Sequence, residues 1–413
     1  MNNNENKAVN FEVCDAYLIE KYQQNLLPFI TYCIVCVCFT LLSINSANAK
    51  SVIVGAEQFS QYLPQLSGKR VGLVVNQTSV VKEQHLVDVL LAKGVNIKAV
   101  FAPEHGFRGN LDAGQTFKNA TDSKTQLPII SIYGKYKKPT PEVLASFDVI
   151  IFDIQDVGVR FYTYISSMHY MMEAAADANI HFIVLDRPNP NGAYVDGPIL
   201  ESEFRSFVGM HNIPLLHGMT VGELAQMFVG EQWLNTQKTL SLQVVKVLNY
   251  LKSDSYHLPI KPSPNLPNQQ AIALYPSLGF FEATPVSIGR GTSFPFQVIG
   301  HNTIHLDDFN FTPKSTPGAA LKPKLMDKQL KGQDLRNVSA GGLDLSYIIQ
   351  WHQAFKDQQL TFFNRADFMD KLSGTDKLRN AIISGKTEQE IKASWQVPLQ
   401  LFKTQRQPYL LYH

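Results

Sequence analysis

The chain has 413 residues, with 37 Lys plus Arg against 35 Asp plus Glu, a formal net charge of +2 and 45% hydrophobic residues. So even a balance, with no block of basic residues interleaved with aromatics, argues against a nucleic-acid partner. The length is more than one hydrophobic core normally organises, so two domains are expected, and neither an internal repeat nor a low-complexity tract is visible.

At the N-terminus, residues 26–44 form an apolar run that ends in the small-residue exit Asn45-Ser46-Ala47-Asn48-Ala49. That order is expected of a secretory leader, residues 1–49, cleaved ahead of Lys50. No later apolar span reaches the roughly 18 residues a transmembrane helix needs, so no stable membrane insertion is expected after cleavage, and the location expected is periplasmic or secreted. The long run is also compatible with a retained anchor. The stretch before it, with Glu5, Glu12, Asp15 and Glu20 against Lys7 and Lys21, makes a poor basic region and leaves the translation start open. All four cysteines, Cys14, Cys33, Cys36 and Cys38, lie inside the expected leader, which removes thiolate, disulfide and cysteine-zinc chemistry from the mature chain. The residues Val35-Cys36-Val37 ahead of Cys38 do not make a lipobox.

From Lys69 onward, short apolar runs alternate with amphipathic stretches. Strands are expected at residues 70–76, 97–101, 129–133, 149–152 and 181–185, and helices at 85–93 and 164–179. Runs of Val and Ile that are apolar on both faces suit a parallel sheet covered by helices, so residues 50–250 are expected to form a doubly wound α/β domain. Beyond Tyr250 come a proline-rich loop at residues 258–267 and the glycine-rich segment Ser287-Ile288-Gly289-Arg290-Gly291-Thr292. Helical patterns at 345–355 and 387–395 and a β-prone tail at 408–412 make residues 251–413 a smaller α+β domain.

In an open parallel sheet the ligand crevice lies beyond the carboxyl ends of the strands. Polar residues cluster at those ends: Asn76-Gln77-Thr78, Glu104-His105-Gly106, Asp153-Ile154-Gln155-Asp156 and Asp186-Arg187-Pro188-Asn189. No Gly-x-Gly-x-x-Gly opens a helix after any of these strands, so no dinucleotide and no other cofactor is expected.

Glu104 is the leading catalytic candidate. Glycines on both sides of Arg108 let the backbone approach a ligand there, and a partly desolvated carboxyl suits the protonation of a glycosidic oxygen. A surface glutamate in a turn fits the same residues. His105 and Asp153 flank it as further catalytic candidates. With His217 they also raise the possibility of a metal site, but no His-x-x-x-His or similar ligand spacing accompanies them and none is expected. Asp156 fits helix capping and ligand contact equally. Arg290, flanked by glycines, leads Arg108 and Arg160 as the reader of an anionic substrate group, because a guanidinium fork matches a carboxylate, although each is equally compatible with a structural salt bridge. Asn76, Tyr164, His217 and Glu282 complete the substrate-binding candidates.

The segment from Phe101 to Gly109, the run Asp153 to Tyr164, Asp186-Arg187-Pro188-Asn189-Pro190-Asn191-Gly192 and Pro262-Ser263-Pro264-Asn265-Leu266-Pro267 together resemble the exo-β-N-acetylmuramidase family. Phe281-Glu282-Ala283-Thr284, Gly289-Arg290-Gly291-Thr292 and Gly374-Thr375-Asp376-Lys377-Leu378-Arg379 extend the match over residues 55–412. The resemblance implies a Rossmann-like domain joined to an auxiliary domain with the active site between them. It implies release of terminal N-acetylmuramic acid from the non-reducing end of peptidoglycan fragments, with the family's catalytic glutamate falling on Glu104. One departure is Gly300-His301-Asn302, which stands where the family pattern has Gly-x-Pro, in a position to alter a loop near Arg290.

Two other functions fit the same residues: a periplasmic muropeptide-binding protein without catalysis, and a metal-dependent esterase or amidase. The leader carries a prediction of its own, that the exported protein begins at Lys50. N-terminal sequencing that finds residues before Asn45 retained in the exported protein contradicts it.

Overall fold

The structure, a computed structural model, describes residues 51–104, 106–108 and 120–412. The expected leader, the Lys50 start, His105 and the glycine after Arg108 lie outside them. The central feature is a seven-stranded sheet, in spatial order Leu242–Val245, His181–Leu185, Val149–Asp153, Val71–Val75, Ile97–Ala102, Pro128–Ser131 and Ala120–Thr121. All neighbours run parallel except the edge strand Ala120–Thr121. The chain thus starts in the middle of the sheet at Val71–Val75 and builds outward in both directions. The crevice where that direction reverses lies beyond the carboxyl ends of Val71–Val75 and its two neighbours.

The strand residues divide by parity between two apolar layers. Val74, Ile150, Phe152, Phe182 and Val184 pack on one face with the helices Tyr164–Asp177 and Val221–Gly230. Val71, Leu73, Val75, Ile151, Ile183 and Leu185 pack on the other with the helix Leu86–Ala92 and Tyr62. Side chains alternate along a strand, so two buried faces demand the unbroken Val/Ile runs seen in the sequence. Leu242–Val245 lacks such a run and its first three residues are only half-buried.

Beyond residue 267 the helix Gln269–Leu278 is capped by Asn268, whose Oδ1 accepts from the Ala271 N–H at 3.0 Å. An antiparallel sheet of Val298–His301, Leu330–Asp334 and Phe309–Phe311 follows. The helices Ser346–Asp357, Ala366–Ser373, Lys377–Ile383, Glu388–Ser394 and Gln396–Gln405 complete this part. Thr387 and Glu390 form the reciprocal capping box that starts Glu388–Ser394. At the departure noted above, His301 Nδ1 accepts from the Thr303 and Ile304 N–H groups, so a side chain holds the turn that a proline would otherwise stiffen. Gly300 still exchanges two backbone hydrogen bonds with Ser287 at the start of the Arg290 segment.

The boundary expected at residue 250 is densely packed. Tyr250 is buried against Tyr412 with ring centroids 5.2 Å apart, and one apolar cluster joins Met168 and Leu224 to Leu278, Trp351 and Leu399. Val52–His413 form one compact unit. The tail expected to be β-prone is instead a short 3-10 turn, Gln407–Tyr409, followed by a docked extension. There the Leu411 N–H donates to Glu223 Oε1 at 2.7 Å, and the Tyr412 hydroxyl donates to Asp186 Oδ2 at 2.6 Å. This hydrogen bonding to buried carboxylates takes the place of strand pairing.

Burial pushes the Asp186 carboxyl up to about 6, against the restraining donors Thr220, Tyr412 and Gly222. A carboxyl raised in the folded state costs stability as pH climbs through that value, and each donor to its ionised form offsets part of the cost. Tyr412→Phe is therefore expected to lower the unfolding free energy by about 1.5–3 kcal/mol at pH 8, as for a hydrogen bond to a charged group, and by less at pH 5, where Asp186 is protonated. Denaturant titrations with equal losses at both pH values contradict this.

Candidate active site

Glu104 follows directly from the strand Ile97–Ala102. Gly106, at φ 76°, turns the chain back so that its N–H donates to the Pro103 carbonyl at 3.0 Å, which leaves Glu104 at the tip of a tight turn. Two hydroxyls fix the carboxyl. Tyr133, just past the neighbouring strand Pro128–Ser131, donates to Oε1 at 2.9 Å, and Thr163, just before the helix Tyr164–Asp177, donates to Oε2 at 3.0 Å. The Tyr164 hydroxyl approaches the Glu104 carbonyl at 3.4 Å. Two strand ends and the start of a helix thus converge on one carboxyl, which is how this sheet turns topology into a defined carboxyl orientation.

Glu104 lines a cleft of about 440 Å³. Tyr133, Phe161, Tyr162, Tyr275, Phe296 and Phe368 supply aromatic walls, and Thr163, Ser263, Glu282, Arg290 and Arg365 supply polar groups. A mostly aromatic concavity with a few convergent polar groups is the usual form of a small-ligand site. Arg290 Nε donates to Glu282 Oε1 at 2.6 Å, and its guanidinium lies 5.0 Å from the Phe296 ring. The glycines on either side are required, because Gly289 and Gly291 have φ of 79° and 82°. Burial alone would raise the Glu282 carboxyl, yet Arg290 and then Lys324 bring it below the usual glutamate range. Lys324 itself is pushed down to about 8 by burial, with Glu282 opposing.

Of the residues singled out in the sequence, the cleft gathers Glu104, Tyr164, Glu282 and Arg290. Asn76 lies beneath, fully buried, with its Oδ1 accepting from the Thr78 N–H and hydroxyl while its side chain sits beside the Tyr164 hydroxyl. The other described ones stand outside the cleft lining. Asp153, expected to be catalytic, is fully buried and bound two-pronged by Arg187, Nε to Oδ1 at 2.5 Å and Nη2 to Oδ2 at 2.9 Å, an ion pair that joins adjacent strand ends. Arg108 is paired with Asp122 at 2.8 Å and stacks on Phe107. Arg160 is fully buried and donates to the carbonyls of Pro198, Ile213, Leu372 and Ser373 at 2.6–3.1 Å. Neither arginine, each expected as a substrate reader, is among the described residues that line the cleft.

Asp156 takes neither expected role. The helix Tyr164–Asp177 has Thr163 at its N-cap, and Asp156 Oδ2 instead accepts from the Gly158 N–H at 2.6 Å. Burial pushes this carboxyl up to about 7, and its charge acts on the Tyr162, Tyr164 and Tyr275 phenols under the cleft. His217 is buried away from the cleft, with Nδ1 accepting from the Met219 N–H. Burial, then Arg406, Lys252 and Arg160, push its imidazole down to about 3, so this expected substrate-binding residue is a neutral ring that holds a turn. Among the described residues no group of three or more His, Cys, Asp or Glu stands in a metal-holding cluster.

The sequence reading missed Tyr133, Thr163 and Arg365. Tyr133 carried the same strand-end signal as Glu104 and Thr163 adjoins the tyrosines that were singled out. Arg365 has no motif around it.

Two family descriptions match the chain in succession: Exo-beta-N-acetylmuramidase NamZ, N-terminal, over residues 71–270, and its C-terminal counterpart over residues 273–412. The chain is similar to the peptidoglycan beta-N-acetylmuramidase NamZ of Bacillus subtilis, at 40% identity over 373 residues, covering 85% of this chain and 89% of the relative. Two solved DUF1343 family proteins from Bacteroides fragilis share the fold. One is 46% identical with a TM-score of 0.81 and the other 32% identical with a TM-score of 0.76, and each alignment covers 88% of this chain and 99% of that one.

The Asp153–Arg187 pair generates a prediction that separates structure from catalysis. Asp153→Asn leaves a buried guanidinium without its carboxylate and is expected to lower the unfolding free energy by about 3–5 kcal/mol. A variant that unfolds at the wild-type denaturant concentration yet has lost function would restore Asp153 to the catalytic group.

Proposed function

The chain belongs to the exo-β-N-acetylmuramidase family, and from that premise we propose that it hydrolyses terminal N-acetylmuramic acid from the non-reducing end of peptidoglycan fragments, with Glu104 as the catalytic carboxyl. The observation that carries the assignment is the grip of Tyr133 and Thr163 on the two oxygens of Glu104 at an aromatic cleft. Such a grip fixes the direction in which a proton is delivered, and orientation is a large part of general acid catalysis.

In the reaction the bond between the anomeric carbon and the glycosidic oxygen breaks, Glu104 gives its proton to the departing oxygen, water supplies the hydroxyl that ends on the anomeric carbon, and the water's other proton restores the acid form of Glu104. Positive charge builds on the sugar ring as the bond lengthens. Glu282, held ionised by Arg290 and Lys324, is the cleft's second carboxylate and offsets that charge. The aromatic side chains present flat apolar faces to the pyranose ring, while Thr163, Ser263 and the charged groups address its polar edge.

The outward-growing strand order supports a Rossmann-like reading of the first part, and the antiparallel sheet with its following helices supports an auxiliary role for the second. The leader pattern supports a periplasmic or secreted location, where peptidoglycan fragments are met.

Glu104→Gln preserves shape and removes the transferable proton. It is expected to fold normally and to cleave a chromogenic N-acetylmuramide at least about 100-fold more slowly, with wild-type turnover insensitive to EDTA. A well-folded Gln variant of near wild-type activity overturns the assignment of Glu104. A wild-type protein that binds the muramide saturably and releases no product overturns the hydrolase reading.

A further inference from the structure

Three basic side chains stand at or beside the cleft, and their partners separate them. Lys324 Nζ donates to the Phe281 and Thr284 carbonyls, each at 2.7 Å. Arg290 is engaged by Glu282 at 2.6 Å. Arg365 differs: among the described residues its guanidinium has no carboxylate or carbonyl partner, and it rests 4.3 Å from the ring centroid of Phe368, another cleft-lining residue. The side chain is exposed, so a ligand can reach it.

Its backbone, by contrast, is tightly placed. Arg365 is the N-cap of the helix Ala366–Ser373; its N–H donates to the Ala283 carbonyl, one residue past Glu282, and its carbonyl accepts from the Phe368 and Met369 N–H groups at 3.0 Å. At the far end of that helix the Leu372 and Ser373 carbonyls are held by Arg160. A rigid origin and an aromatic shelf leave the guanidinium fork preorganised over the cleft with its hydrogen-bond donors unspent.

We propose that Arg365 is the specificity-determining residue that binds the lactyl carboxylate of terminal N-acetylmuramic acid, while Arg290 is committed to Glu282. The proposal rests on the muramic-acid reading of the site. The lactyl ether carboxylate is the group that distinguishes this sugar from N-acetylglucosamine, and an anion entering beside Glu104 and Glu282 needs a cation that neither of them already occupies. Recruiting Arg290 would divide one guanidinium between the incoming carboxylate and Glu282, which already takes its Nε at 2.6 Å. Recruiting Arg365 breaks nothing, and it offers the bidentate geometry that a carboxylate prefers. This reverses the ranking drawn from the sequence, where Arg290 led on the strength of its flanking glycines.

Calorimetric binding of N-acetylmuramic acid and N-acetylglucosamine to the full mature chain tests the proposal without requiring turnover. Wild type is expected to prefer the acidic sugar by about 30-fold or more, as for a charge-assisted pair against its unpaired alternative. Arg365→Ala is expected to bring that ratio close to one, and Arg365→Lys, which keeps the charge without the fork, to leave it in between. Denaturant unfolding of each variant checks that the fold survives. An Arg365→Ala protein that unfolds normally and keeps the wild-type ratio overturns the proposal, as does a wild type without preference. A wild type that shows the preference and yet releases no sugar from a chromogenic muramide defeats the hydrolase reading and leaves the Arg365 assignment standing.

Discussion

Arg160 is a guanidinium with no accessible surface and, among the described residues, no carboxylate paired with it; its two terminal nitrogens donate to carbonyls drawn from two distant parts of the sequence, while its Nε has no partner there. Burial pushes it down to about 9, a measure of how strongly the interior resists its charge. Such a group persists only where the surrounding carbonyls are fixed, and fixing them has a geometric result. The residues that follow it, Phe161 to Tyr164, form one wall of the cleft and carry the Thr163 hydroxyl on Glu104. The carbonyls of Leu372 and Ser373 end the helix that begins at Arg365. One buried cation therefore ties the support of the Glu104 carboxyl to the second half of the cleft.

Around that constraint the site divides its work by bond type. Hydroxyls hold Glu104, and these give direction without adding a formal charge. A guanidinium and a nearby ammonium hold Glu282 ionised. Two carboxylates in one cleft are thereby given different surroundings, the usual way a fold assigns different tasks to chemically identical groups.

The strands and the turn bearing Glu104 were legible because a parallel sheet buried on both faces writes itself as Val/Ile runs and puts its polar residues at their carboxyl ends. Leu242–Val245 escaped because an edge strand needs no such run. The same strand-end signal is ambiguous at Asp153: a charged residue at a buried strand end fits an ion pair as well as chemistry, and Arg187, which wraps around it, is 34 residues away in the sequence. Arg108, Arg160 and His217 share that ambiguity, since the sequence does not display Asp122, a ring of carbonyls or the burial that keeps an imidazole neutral. Arg365 was illegible for the opposite reason. Its interest lies in the partner it lacks, and a missing partner leaves no motif.

The docking of Tyr412 on Asp186 spans 226 residues. Asp186 also anchors the start of the helix Val221–Gly230 through Thr220 and Gly222, so one buried carboxyl ties a strand end, a helix start and a segment 226 residues further on into a single hydrogen-bonded knot. The strands can pair without that segment, but the acid is not sealed until Tyr412 docks on it. The docked extension therefore acts as a latch, and undocking it leaves a loosened, solvent-reachable carboxyl at the end of a buried strand.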